Sequence, residues 1–185
     1  KYVSFFPSAH LSYEFASNNS LQLSYSRRIS RPNFRHLIPF FSLSDTRNIR
    51  SGNPNLNPVF THSAEIGHLK TWDNGSLLSS IYYRHSDGVT ERISIADTTG
   101  IITSFPINLS TEDATGLELS FSYSLFKWWR VMLNANVFYS FTNGDYEGQS
   151  FYAETFSARG RFTSKWTVWK KLDIQSAFMY RAPRN

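Results

Sequence analysis

A chain of 185 residues with 41% hydrophobic and 17% aromatic side chains has apolar material for a modest core. Its net charge of +5 comes from dispersed Lys and Arg residues that never run longer than two, which argues against nucleic acid as a partner. Zero cysteines exclude disulfides and thiolate metal sites, and no apolar run approaches the roughly 18 residues of a membrane-crossing helix.

The first strand is expected over residues 8–16, with Leu11, Tyr13 and Phe15 on one face and His10, Ser12 and Glu14 on the other. Asn18 and Asn19 then make a tight turn, because Asn tolerates positive φ. Leu21, Leu23 and Tyr25 alternate with Gln22, Ser24 and Ser26 in a second strand. Residues 30–58 form a long loop, since Pro32, Pro39, Pro54 and Pro58 cannot sit in a central ladder. A third strand, 59–72, turns at Asp73-Asn74-Gly75.

The fourth strand, 76–84, is ambiguous in register, because Leu77, Leu78, Tyr82 and Tyr83 put apolar groups on both faces. Residues 86–113 read as a second long excursion that contains a small hairpin of its own. The fifth strand, 116–126, sets Leu117, Leu119, Phe121, Tyr123 and Leu125 against Glu118, Ser120, Ser122 and Ser124. After a turn at 127–130, the sixth opposes Val131, Leu133, Ala135, Val137 and Tyr139 to Asn134, Asn136 and Ser140. A loop at 142–149 leads to the seventh strand, 151–166, and a turn at 168–171 to the eighth, 172–181. No helix is expected.

Two regularities make these strands a membrane argument. Connections alternate between short and long, as in outer-membrane barrels with short periplasmic turns and longer outside loops. All five tryptophans (72, 128, 129, 166 and 169) lie beside the short turns, where an aromatic girdle would sit at one interface. Lipid offers no hydrogen bonds, so a spanning sheet closes on itself and turns its apolar side chains outward. The expected fold is therefore all-β: an antiparallel up-and-down transmembrane β-barrel segment of about eight strands. Arg28, Glu118, Asn134, Asn136, Arg159, Arg161 and Arg181 fall on the wet face, expected to line the lumen.

Specific wording adds a resemblance. Residues 28–34 read Arg-Ile-Ser-Arg-Pro-Asn-Phe, residues 51–58 read Ser-Gly-Asn-Pro-Asn-Leu-Asn-Pro, and the next strand carries Glu65-Ile66-Gly67. This resembles the late barrel region of TonB-dependent outer-membrane receptors, with Asn57 and Val59 standing where Lys and Glu are common in that family. Gly116-Leu117-Glu118-Leu119 resembles the Gly-x-Glu strand start of the same barrels. The closing residues 180–185 resemble the start of a loop in the branch common in Bacteroides-like bacteria. The resemblance covers nearly the whole chain. It implies a fragment, residues 1–185 forming part of a single β-barrel domain of roughly 22 strands. A signal peptide, a plug domain and the final strands would lie outside the chain.

By that likeness the parent sits in the outer membrane of a Gram-negative bacterium and imports a scarce siderophore, glycan or peptide. The implied partners are outer-membrane lipid, the plug of the same polypeptide, the TonB complex reached through the N-terminal part, and a small solute. The likeness also admits a surface lipoprotein. Arg31, Phe34, Arg35, His36, Arg47 and Arg50 lie in the long loop and are candidates for contacts to an external ligand.

Nothing points to catalysis. The five histidines have no metal-binding spacing, no Gly-x-Ser-x-Gly elbow or phosphate loop is present, and no enzyme, metal or cofactor is expected. Two rivals share the alternation: a passive, complete eight-stranded structural or adhesion barrel, and a soluble carbohydrate-binding β-sandwich with two packed apolar faces.

Overall fold

The computed structural model describes residues 4–39, 47–146, 148–169 and 172–182. Parts of the expected loop at 30–58, of the turns at 142–149 and 168–171, and of the closing segment 180–185 lie outside the described residues. Eight long strands follow one another as a meander: β1 (Ser8–Ala16), β2 (Asn19–Ser30), β4 (Val59–Trp72), β5 (Gly75–Ala96), β6 (Ile102–Phe126), β7 (Trp129–Tyr146), β8 (Gln149–Val168) and β9 (Leu172–Arg181). Each pairs antiparallel with the next. Among the described residues β1 and β9 do not pair with each other, so the sheet is open at both sides.

The lower turns follow the expected chemistry in part. Asn18 takes a left-handed φ of 65° between β1 and β2. The hairpin at Asp73 and Asn74 forms without any left-handed residue.

Register fixes the slope of the sheet. The pairs closing the four lower turns are Ala16–Asn19, Trp72–Gly75, Phe126–Trp129 and Val168–Leu172. Followed across the ladders onto β7, the first three fall level with Leu133, Val131 and Trp129, and the fourth lies two residues farther on. Each hairpin is thus displaced by two residues, or one residue per strand. A rise of about 3.3 Å against a strand spacing of about 4.8 Å sets a tilt of about 35°. That is the tilt of membrane barrels, which lies at about 35–45°.

The two faces divide by chemistry. Leu11, Leu23, Ile66, Ile81, Leu117, Val137 and Ala158 stand opposite one another in an unbroken row across seven strands. One residue along, on the other face, Ser12, Gln22, Gly67, Ser80, Glu118, Asn136, Arg159 and Arg181 form a second row across eight. Curling crowds the inner face of a sheet and spreads the outer one. Here the apolar face is spread, with Ile66 57% and Ile81 60% exposed, whereas Ser80 and Tyr82 are only 2% and 3% exposed. The polar face is therefore concave.

At the turn end, Phe126, Trp128 and Trp129 stack on one another, and Trp129 Nε1 donates to Ser164 Oγ at 2.8 Å. Ten residues along β7 stands Tyr139, about 27 Å higher along the barrel axis once tilt is included. An outer-membrane apolar band is about 25 Å tall. Above it the convex face turns polar. His62 and His85 pair across β4 and β5, Tyr25 bonds His62 at 2.8 Å, and His85 bonds Asp113 at 2.7 Å.

Four expectations are corrected. Residues 86–113 are not an excursion with its own hairpin: β5 and β6 run on, through a shift at Gly88, to a turn between Ala96 and Ile102. β7 and β8 likewise continue to a tight turn, so the connection at 142–149 is short. A ninth strand, β3 (Asn48–Arg50), pairs parallel with β6. One helical turn, α1 (Phe34–Leu37), is capped by the Asn33 side chain, which accepts from the Arg35 amide. The ambiguous strand settles into a single register, with Ile81 and Tyr83 convex and Ser80 and Tyr82 concave.

β3 explains the Asn-Pro-rich wording. β5 occupies one edge of β6, so β3 takes the other edge, above the end of β7, and the long loop must cross the hairpin to reach it. Pro106 fits there because its missing N–H points to that edge, where its carbonyl accepts from Asn53 Nδ2 at 3.0 Å. Asn108 completes the lacing. Its Oδ1 accepts the Asn57 amide at 2.7 Å, and its Nδ2 donates to the carbonyls of Asn57 and Gly88. Asn108→Ala should therefore cost the attachment about 1–3 kcal/mol, read as faster hydrogen exchange at the Asn57 amide.

Candidate functional site

The concave face holds the site. The concave side of β5 to β8 holds a half-open cavity of about 1430 Å³, lined low down by Tyr82, Glu118, Asn136 and Arg159 and toward the upper turns by Arg84, Glu91, Arg92, Glu112 and Tyr146. The upper half exists because β5 to β8 continue beyond the apolar band.

Tyr82 is the keystone of its floor. Its ring lies over Gly116, the residue paired with it, and its hydroxyl exchanges hydrogen bonds with the Asn136 amide. Arg84 stacks on the same ring, with its guanidinium carbon 4.1 Å from the centroid. The Gly-x-Glu wording is thus not a strand start. Gly116 sits in mid-strand because a tyrosine crosses it, and Glu118 lies two residues along on the same face.

Of the seven expected wet-face residues, Glu118, Asn134, Asn136, Arg159, Arg161 and Arg181 line one recess of about 480 Å³ against β9. Arg28 stands apart on β2, opposite Thr61. Of the loop candidates, Phe34, Arg35 and His36 ride on α1 and are exposed, as is Arg31. Arg50 pairs with Ser104 through β3, and the Arg47 carbonyl accepts the Ile102 amide. These two therefore sit beside the hairpin, joined to α1 through the bond from Asn53 N to His36 O.

Tyr82, Arg84, Glu91, Arg92 and Glu112 were missed as site residues. Tyr82 and Arg84 lay in the strand of uncertain register, and the others in what read as loop. Burial, with the neighbouring Glu112 charge, pushes the Glu91 carboxyl above its ordinary range, so Glu91 loses its negative charge early as pH falls.

At the hairpin tip the opposite holds. The Thr99 hydroxyl and the backbone amides of Ile101 and Thr99 donate to Asp97, which holds its carboxyl below the ordinary range. A depressed carboxyl stabilises the tip above its unfolded pKa and loses that effect as pH falls through its folded one. Amide protection at Ile101 should accordingly hold from pH 7 to about pH 5 and fall in stronger acid.

A tilted antiparallel meander, apolar on its convex side, polar on its concave side and banded by tryptophan at one end, is a segment of a transmembrane β-barrel wall. The model of the outer membrane protein beta-barrel family matches residues 1–185, and the chain belongs to that family. It is an outer-membrane protein.

The fold is shared with the ferric enterobactin receptor PfeA of Pseudomonas aeruginosa, a mutant solved in complex with enterobactin, at a TM-score of 0.57 and 13% identity. That match covers 93% of this chain and 34% of the receptor. The siderophore receptor PirA of Pseudomonas aeruginosa matches at a TM-score of 0.55 and 12% identity, covering 94% and 42%. At such identity the likeness is one of fold, and the chain spans about a third of the length of the first receptor. No curated protein sequence matches it.

Proposed function

We propose that the chain is part of a TonB-dependent outer-membrane receptor that imports a scarce small solute of the siderophore, glycan or peptide class. The observation that carries this reading is the cavity on the concave face, which opens among polar and aromatic side chains while the convex face is apolar. Such a cavity suits a ligand held on a rigid wall.

On this reading the concave face is the lumen. Arg28, Glu118, Asn134, Asn136, Arg159, Arg161 and Arg181 line it, and a plug from the same polypeptide fills the closed barrel. Arg31, Phe34, Arg35, His36, Arg47 and Arg50 meet the solute from outside. The unpaired edges of β1 and β9 are covered by further strands, since bare edges invite association. The fold's likeness to receptors for siderophores favours an importer over a passive barrel.

The test is uptake by the full-length protein. Cells are starved in turn of iron, glycan and peptide, with the gene deleted or TonB removed. Loss of growth on one source in both backgrounds supports the reading, and growth unchanged on all three rejects it.

A further inference from the structure

A second feature of the concave face concerns charge. Arg159 and Arg181 stand directly opposite each other on β8 and β9, and Arg161, two residues along β8, faces Met179. Like charges placed opposite in a sheet repel, and guanidinium groups do not escape by losing a proton. Among the described residues no carboxylate lies within 4 Å of any of the three, although Lys165 and Asp173 lower on the same pair of strands do form an ion pair at 2.9 Å. Glu118 shares the recess but is separated from Arg159 by the intervening Asn136.

The neighbouring amide adds to the imbalance. Asn134 accepts from Ser120 Oγ at 3.0 Å through Oδ1, and its exposed Nδ2, which meets no protein acceptor among the described residues, is free to donate beside Arg161, its partner on β8. The side of the recess toward β9 therefore presents three guanidiniums and one amide, all donors. Arg159 also lies 5.8 Å from the centre of the Phe138 ring, which limits where its guanidinium can swing.

We propose that Arg159, Arg161, Arg181 and Asn134 form a binding site for an oxyanion, a carboxylate or phosphate carried by a small solute. The recess of about 480 Å³ suits a small molecule. Arginine forks match planar or tetrahedral oxyanions through paired charge-assisted hydrogen bonds. An oxyanion placed between Arg159 and Arg181 converts their repulsion into two attractions. The proposal rests on the importer reading and narrows its solute to an anionic one.

The test uses the full-length protein, extracted from outer membranes in detergent, with radiolabelled citrate and inorganic phosphate as probes in equilibrium dialysis. At least one anion should bind saturably and more weakly as salt rises. Arg159→Gln and Arg181→Gln should each weaken it by about tenfold or more. The triple Arg159→Gln, Arg161→Gln, Arg181→Gln variant should abolish binding, and Lys127→Gln, a charge loss at a distant turn, should leave it unchanged.

Undiminished binding by the triple variant overturns the site. So does a wild-type protein that binds neither anion while the triple variant lowers its unfolding temperature, because the arginines are then held by carboxylates of the same polypeptide. If the glutamine variants do not fold, the corresponding lysine variants keep the charge and lose the fork, and binding equal to wild type counts against the site. A protein that still supports TonB-dependent growth but binds neither anion refutes this site alone, whereas loss of that growth dependence refutes the importer reading.

Discussion

Leu133→Arg should destabilise the barrel by about 2–4 kcal/mol, the cost of a charge near the bilayer midplane on the lipid face of a strand. Leu133 is exposed on the convex face, four residues above Trp129 in a band about ten residues tall, so an arginine there has the longest reach to either interface. Ser122→Arg provides the control. Ser122 pairs with Met132, the neighbour of Leu133 on the concave face, at nearly the same height. Its arginine would stand beside Met132 and Ser76, Ser120 and Ser124 on the concave side, away from acyl chains, and cost less than about 1 kcal/mol. Both should be made in the full-length protein and compared by denaturant titration in lipid vesicles. Equal effects would mean that the convex face does not meet acyl chains.

Gly116→Ala should cost about 1–3 kcal/mol, although it adds a single methyl group. That methyl would lie 2.5 Å from the Tyr82 ring and 2.8 Å from the Val137 carbonyl oxygen. The carbonyl belongs to the β6–β7 ladder and cannot retreat, and Tyr82 is too buried to swing freely. Expelling Tyr82 would break its bonds to Asn136 and take away the surface on which Arg84 stacks. Tyr82→Ala combined with Gly116→Ala should therefore cost less than the two changes summed, since the first removes the clash that makes the second harmful.

Much of the wall could be read from the residues alone. β1 and β9 have the bounds that alternation implied, and β4 ends at its Trp72, because a lipid-facing strand must keep every second residue apolar over the whole band. That rule lapses above the membrane. Between residues 86 and 113 both faces meet water or the cavity, so the period-two signal fades just where β5 and β6 continue. Gly88 and Pro106 then look like loop residues, although one sits at a register shift and the other at an edge that β7 no longer covers. α1 was invisible because four residues carry no helical period.

By itself the sequence determined the eight strands of the wall, the apolar face of all but the fourth and which end carries the tryptophans, since these follow from alternation and turn chemistry within a few neighbouring residues. Only the tertiary structure decided the one-residue stagger that sets the tilt, the crossing of the long loop that lets β3 join β6, and the gathering of Arg159, Arg161 and Arg181 with no carboxylate within 4 Å among the described residues. Those depend on register between strands, and a strand's own pattern says which way a side chain points but not what stands opposite it.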